Sequence, residues 1–189
     1  MTIILFLGKS VKEYKVSGTK IAKQHIDEGN IICEICLKAM SYHSSYWRGA
    51  KETGQRFKII MACCKGCNNF HALLPDFLLP HKHYSGTEIE GVILDSEIMP
   101  VNQIETQASQ ATINRWVNKI GEKVGQAIGI LKYLFKEAGQ AVSEAAIEPG
   151  LAYSELQQVL ERAPADVRFS NNFGLANIWL STSKVAMYI

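Results

Sequence analysis

The sequence predicts an α+β fold, in which an N-terminal β zinc ribbon precedes an all-α helix–turn–helix region with a long helix. Two Cys-x2-Cys pairs enclose a stretch of alternating apolar residues, and apolar residues recur at helical spacing after Ser85. Pro149-Gly150 interrupts the helical pattern. The predicted regions are a strand and polar lead-in (1–30), the ribbon with an apolar connector (31–84), the helix–turn–helix and long helix (85–148), and a C-terminal helical segment (149–189).

Composition indicates a globular protein and says little about partners. The 189 residues are 47% hydrophobic and carry a formal net charge of +2. The apolar run at 3–7 has five residues, which suits a strand and is too short for an export signal or a membrane span. The sequence therefore predicts a cytoplasmic protein with no membrane partner, in which paired cysteines hold metal and do not form disulfides.

The residues between the two cysteine pairs are predicted to form a β-hairpin. Phe57, Ile59 and Met61 alternate with their neighbours, as expected for a half-buried strand, and 49–54 provides a polar turn before it. Each C-x2-C turn is called a knuckle below. The resulting order is knuckle, strand, turn, strand and knuckle, which is that of a zinc ribbon.

Cys33-x2-Cys36 and Cys64-x2-Cys67 are the predicted ligands of one Zn(2+) ion. Structural zinc prefers four ligands in a tetrahedron, and a C-x2-C turn points both sulfurs inward. Four thiolates close the coordination shell, so the predicted role is structural and not catalytic.

Two nearby residues leave the ligand set open. Cys63 would give a C-x3-C spacing with Cys67, so Cys64 is preferred and Cys63 is read as a small buried residue at the strand end. His71 follows Cys67 by four residues and is an alternative ligand, although a histidine that anchors the next segment is the simpler interpretation.

The helical region begins with a capping box, Ser85-x-x-Glu88, which predicts a helix through Leu94. A short helix is expected at 102–108, and a longer one from Ser109. One face of the longer helix is apolar, and the opposite face carries amides and cations that suit base edges in the major groove. The apolar positions are Ile113, Trp116, Val117 and Ile120, and the predicted DNA contacts are Gln110, Asn114, Arg115, Asn118 and Lys119. The alternative is an ordinary amphipathic helix with a solvated polar face.

The ribbon is basic and is predicted to contact DNA phosphates. Residues 33–84 contain seven Lys and Arg against three acidic residues, a net charge of +4. Arg48, Arg56 and Lys58 lie among aromatic residues there and are the predicted phosphate contacts.

Apolar residues at alternating steps of four and three extend the long helix to about Ala138. This seam (113–138) predicts either a homodimer or packing on the chain's own C-terminal helix. A further helix is expected at 153–163, and the apolar stretch 171–189 is read as a buried helix or strand, or as a partner surface.

The run at 64–85, with its core His71-Ala-Leu-Leu-Pro-Asp-Phe-Leu-Leu-Pro80, resembles an uncharacterised bacterial family. Members of that family have an N-terminal zinc ribbon and a helix–turn–helix, and many are linked to transposons and insertion sequences. The resemblance covers about 31–120 and implies the same four zinc ligands, with DNA as partner. Physically, the run is an apolar connector that should lock the ribbon onto the helices. Asp76 is read as a helix or turn cap in preference to a catalytic acid, and His81 and His83 as exposed loop residues in preference to metal ligands.

These observations predict a DNA-binding accessory or regulatory protein of a mobile genetic element. Its partners would be double-stranded DNA and either a transposase or a second copy of the chain, with no small-molecule substrate. The chain is predicted not to be an enzyme, since two-metal nucleases need several carboxylates and it has four Asp. The alternatives are a zinc-ribbon module that binds a transposase or polymerase, and a small transposase or nuclease.

Overall fold

The computed structural model describes residues 2–8, 10–137, 139, 152–161 and 172–182. It contains one four-stranded sheet and several helices, so the predicted α+β class is confirmed. Within the described residues, no helix combines the length and the apolar character needed to cross a membrane.

The sheet is larger than the predicted two-stranded ribbon. Its strands are β1 (Thr2–Leu5), β2 (Ser41–Ala50), β3 (Gln55–Cys63) and β4 (Phe70–Pro75), in the spatial order β1-β4-β3-β2. β2 and β3 form the predicted antiparallel hairpin, β4 pairs antiparallel with β3, and β1 pairs parallel with β4. The hairpin that joins the two cysteine pairs is therefore one side of a sheet, with β2 at its edge.

The polar N-terminal stretch, for which the sequence indicated no element after the first strand, is helical. Val11–Glu13, Tyr14–Gly18 and Thr19–Asp27 follow one another without a break, the middle segment in π-helical geometry, and together form α1. α1 contacts β2 and β3. Its buried residues are few, among them Tyr14, whose hydroxyl donates to the Lys58 carbonyl at 2.7 Å. Such a sparse apolar face gave the sequence little periodicity to detect.

Helix α2 (Gly86–Ile98) begins at the predicted cap, where Ser85 Oγ accepts from the Glu88 N–H at 3.2 Å. The reciprocal half of the capping box differs from the prediction. The Ser85 N–H donates to Glu52 Oε1 at 3.1 Å, and the Glu88 carboxylate accepts from the Thr106 hydroxyl instead.

The long helix α3 (Gln110–Glu137) starts where the sequence predicted. The short helix predicted at 102–108 is wrong, because only a 3-10 turn, Val101–Gln103, forms there. Residues 99–109 separate α2 from α3, whereas a helix–turn–helix usually has a turn of about three or four residues.

Helices α4 (Ala152–Leu160) and α5 (Asn172–Thr182) complete the helical region and both contact α3. Val124, Ala127 and Leu131 of the predicted seam are fully buried within the single chain. The alternative of packing on the chain's own C-terminal helices is therefore observed, and the homodimer remains a prediction. The predicted seam position Ala138 and the C-terminal residues 183–189 lie outside the described residues.

Two apolar cores meet at the connector. Leu73, Leu74, Phe77 and Leu78 belong to the core of the sheet, whereas Leu79 belongs to the core of the helices. Helix α5 approaches the same segment closely, since a Cβ at Gly174 would lie 2.5 Å from the Asp76 carbonyl oxygen. The connector thus fixes the helices against the sheet, as its apolar character predicted.

Candidate metal centre and nucleic-acid interface

The structure brings the four predicted ligands, Cys33, Cys36, Cys64 and Cys67, into one group whose sulfurs all lie within 4.8 Å of one another. Cys33 Sγ is 3.5 Å from Cys67 Sγ, and Cys36 Sγ is 3.2 Å from Cys64 Sγ. Each close pair joins the two knuckles. Four thiols at this separation could hold a metal ion.

The two knuckles repeat one backbone geometry. The backbone carbonyl of Cys33 accepts from the Leu37 N–H at 2.9 Å, and the backbone carbonyl of Cys64 accepts from the Asn68 N–H at 2.8 Å. The residue after each second cysteine adopts positive φ, 56° at Leu37 and 55° at Asn68. Asn tolerates this left-handed conformation, whereas Leu does so at a cost. The same turn therefore forms from two unrelated local sequences, and it aims both pairs of sulfurs at one point.

Hydrogen bonds to the sulfurs favour thiolate at the second knuckle. The Asn69 side-chain amide donates to Cys67 Sγ at 3.2 Å, and with the Asn69 backbone N–H it lowers the pKa of Cys67 to about 6. The hydrogen bond between Cys36 and Cys64 raises the pKa of Cys36 to about 12 and lowers the pKa of Cys64. A divalent cation would displace the proton of Cys36, since thiolate is the form that ligates metal.

The donor set fits zinc. Thiolates at about 2.3 Å from a tetrahedral zinc ion lie about 3.8 Å apart, close to the separations seen here. Cys33 and Cys64 are fully buried, whereas Cys36 and Cys67 are half-buried, so the group is partly shielded from water.

The two alternative ligands lie beside the group and not within it. His71 is fully buried, and its Nε2 is 4.0 Å from Cys33 Sγ. Burial lowers the pKa of His71, so its neutral ring can donate to a sulfur from outside the four-cysteine group. Cys63, predicted to be buried, is half-buried at the end of β3 and pairs with Phe70 across the sheet.

The three predicted phosphate contacts of the hairpin differ in their surroundings. Arg56 and Lys58 are exposed, with the Arg56 guanidinium 5.8 Å from the centre of the Trp47 ring. Arg48 is half-buried, and its Nη2 donates to the carbonyls of Leu79 and Lys82. Arg48 therefore ties β2 to the connector, a structural contact that the sequence did not indicate.

The predicted DNA-contact residues of α3 share one exposed face. Ile113 and Trp116 are buried beneath it, and the Trp116 ring meets Tyr84 edge-on at 5.0 Å. The exposed residues are Gln110, Asn114, Arg115, Asn118 and Lys119.

A cluster of cations beside this face was missed. Lys51 and Lys82 line one pocket with Arg115 and Lys119, between the connector and the start of α3. The sequence run His81-Lys-His83 carried a weak signal, but nothing in it showed that α3 would lie opposite.

Fold and site together define an α+β protein with a four-cysteine candidate metal centre and a basic helix face. Residues 33–116 match the family model described as a domain of unknown function, DUF6431. That range begins at the first cysteine of the group and ends at Trp116. No curated protein and no solved structure matches the chain.

Proposed function

We propose that the chain is a DNA-binding protein with an accessory or regulatory role, stabilised by zinc and reading the major groove with α3. The observation that carries this proposal is the exposure of one whole face of α3 above a buried apolar face. That exposed face combines amides, which suit adenine edges, with cations that suit guanine or phosphate.

Zinc has an architectural role in this proposal. With the ion bound by the four cysteines, both ends of the β2–β3 hairpin are held together as in a zinc ribbon. The hairpin in turn supports the connector through Arg48, and the connector contacts α3 through Tyr84 and Trp116. Metal binding is therefore expected to affect DNA binding through the position of α3, although no cysteine contacts DNA.

The long loop at 99–109 changes the form of the proposed helix–turn–helix. α2 and α3 contact each other, so they can act as supporting and reading helices without the usual tight turn. An association with a mobile genetic element would fit this role, and it rests on the resemblance at 64–85 alone.

The test is selection of bound duplexes from a random pool with purified, zinc-loaded protein, followed by affinity measurements on the selected sequence. Asn114→Ala and Asn118→Ala should each reduce discrimination by about 1–3 kcal/mol at one base position, or about fivefold to 150-fold in relative affinity. Asn102→Ala, at an exposed asparagine outside α3, is the matched control and should leave discrimination unchanged. A pool that yields no enriched sequence, with binding insensitive to salt, would contradict the proposal.

A protein-interaction module is the second candidate, and the edge of the sheet favours it. β2 is an edge strand, and Tyr46 and Trp47 on it are exposed, the latter by 58%. An exposed edge with aromatic side chains can accept a strand from another protein. Under this alternative, DNA binding would be absent, and Trp47→Ala would weaken capture of a transposase or polymerase subunit.

A further inference from the structure

The cation cluster at the start of α3 forms an open pocket of about 550 Å³. One wall is the connector segment 81–84, and the other is the first turns of α3. Four cationic side chains line it, from Lys51, Lys82, Arg115 and Lys119, together with the hydroxyls of Ser109 and Thr112. All of these groups can donate hydrogen bonds.

The pocket concentrates positive charge without a compensating anion. Among the described residues, no carboxylate lines it, and none of its four cations forms an ion pair. Burial lowers the pKa of Lys82, and the nearby charges of Lys123, Arg115 and Lys119 lower it further. A bound anion would offset this mutual repulsion, because it would favour the charged form of each neighbour.

The wall that carries Lys82 is held in place before any ligand binds. Arg48 Nη2 donates to the carbonyls of Leu79 and Lys82, and the Lys51 N–H donates to the His83 carbonyl at 2.8 Å. His81 adopts positive φ, 58°, which turns the chain between these contacts. A fixed wall means that little conformational entropy is lost when an anion enters.

We propose that this pocket binds one phosphate group of the DNA backbone and sets the register of α3 in the groove. The inference rests on the proposed function and adds a specific subsite to it. A guanidinium, three ammonium groups and two hydroxyls around one opening suit the several oxygens of a phosphate. Asn114 and Asn118 lie on the same helix as Arg115, so a phosphate held here would fix where their amides meet the bases.

The pocket also adjoins a larger groove. Its connector residues His81, Lys82 and His83 also line a groove of about 790 Å³ that extends over the sheet to Tyr46 and Trp47. The backbone on one side of the bound phosphate could continue along this groove. The proposal therefore places the duplex against α3 and the connector together, and not against α3 alone.

The experiment compares Lys82→Gln and Arg115→Gln with the wild type on a mixed-sequence duplex, over a series of salt concentrations. Each variant should weaken binding about equally on all sequences and reduce the slope of log affinity against log salt by about 1. Lys20→Gln, an exposed lysine on α1, is the matched control and should leave the slope unchanged. Thermal melts should show that Lys82→Gln is at least as stable as wild type, because it removes a repelled charge.

A second arm uses inorganic phosphate as the probe. Backbone amide NMR signals of Lys82, Thr112 and Arg115 should shift when phosphate replaces chloride at constant ionic strength, and the shifts should be lost in both variants.

The outcomes separate the two proposals. Variants that bind DNA with the wild-type slope, or phosphate that leaves the pocket signals unchanged, would overturn the phosphate site and leave DNA binding standing. Failure of the wild type itself to bind any duplex would overturn the proposed function and this inference with it.

Discussion

The core of the sheet and the core of the helices differ in the groups that stabilise them. The core of the sheet includes the cysteines Cys33 and Cys64, whose sulfurs need a cation when they ionise. The core of the helices consists mainly of apolar and aromatic side chains, among them Trp116, Phe135 and Phe173, and α5 also buries Asn177. The comparison leads to a prediction: the stability of the sheet should depend on a metal ion at the four cysteines, whereas that of the helices should depend on packing and on the groups that cap them.

Two carboxylates of α2 provide those caps. Glu90 accepts from the Asn172 N–H at 3.1 Å, at the start of α5, and Glu97 accepts from the Tyr153 N–H at 2.7 Å, near the start of α4. Carboxyl oxygens that accept hydrogen bonds at a helix N-terminus are stabilising, since unpaired N–H groups point outward there. One helix therefore fixes the beginnings of two others.

Removal of the metal should produce the largest effect. A structural zinc ion contributes about 10–16 kcal/mol of apparent binding free energy, so chelation or Cys67→Ser should unfold the sheet while the helices keep much of their structure. Zinc content by elemental analysis and amide hydrogen exchange of β3 against α3 measure this directly. Cys63→Ser, outside the four-cysteine group, is the control and should retain zinc. Equal protection of β3 with and without metal would show that the centre is not structural.

Truncation of the aromatic junction should be next in size. Trp116→Ala removes a buried ring that packs on Tyr84, and cavity formation at such a site costs about 3–5 kcal/mol. Tyr133→Ala on the same helix is the control, because that ring is 63% exposed and should cost little. The midpoint of urea unfolding, with zinc saturating, reports the difference. A similar loss for both variants would mean that α3 is not anchored at this junction.

Arg48→Lys tests the contact that joins the two cores. Both hydrogen bonds come from Nη2 of Arg48, which lies one bond further from the backbone than the Nζ of a lysine would, so a lysine should fall short of the two carbonyls. Hydrogen bonds that involve a charged group are worth about 1.5–3 kcal/mol. The expected loss of unfolding free energy is about 2 kcal/mol. Arg56→Lys makes the same change at an exposed position and should be nearly neutral. If the two variants were equally stable, the contact of Arg48 with the two carbonyls would not stabilise the fold, and Arg48 would again be a candidate phosphate contact like Arg56.

The sequence predicted the parts of the fold that depend on local signals. Two C-x2-C pairs specified the cysteine group, alternation specified β3, and Ser85 specified the start of α2. The remaining parts depend on distant contacts. Nothing local indicates that β1 pairs with β4, or that Arg48 reaches across to the connector.

The candidate site shows the same limit. The exposed face of α3 follows from helical periodicity, so it could be predicted residue by residue. The opposing wall of the basic pocket could not, because Lys51 and Lys82 join Arg115 only after the connector has folded back along the hairpin. Charge brought together from separate segments leaves no pattern in the linear sequence.

The smallest predicted effect concerns Glu90, and its sign follows from burial. Burial raises the pKa of Glu90 from 4.5 to about 7, in spite of the hydrogen bonds from Asn172 that lower it. The folded protein therefore holds a proton that the unfolded chain releases above about pH 4.5, and the stability present below that pH is lost as the pH rises through 7. Since each unit of pKa shift corresponds to about 1.4 kcal/mol and the carboxyl is only partly buried, the expected loss is about 1–2 kcal/mol.

Glu90→Gln should remove this pH dependence. The measurement is the free energy of unfolding of wild type and variant between pH 5 and 8 with zinc saturating, taken as a difference so that titration at the cysteines cancels. At pH 5 the variant should be no more stable than wild type. As the pH rises to 8, its free energy of unfolding should increase relative to that of wild type. Glu122→Gln, on the exposed surface of α3, controls for the loss of one negative charge. If the difference in unfolding free energy between wild type and variant stayed constant from pH 5 to 8, Glu90 would already be ionised in the folded protein. Its burial would then carry no measurable penalty.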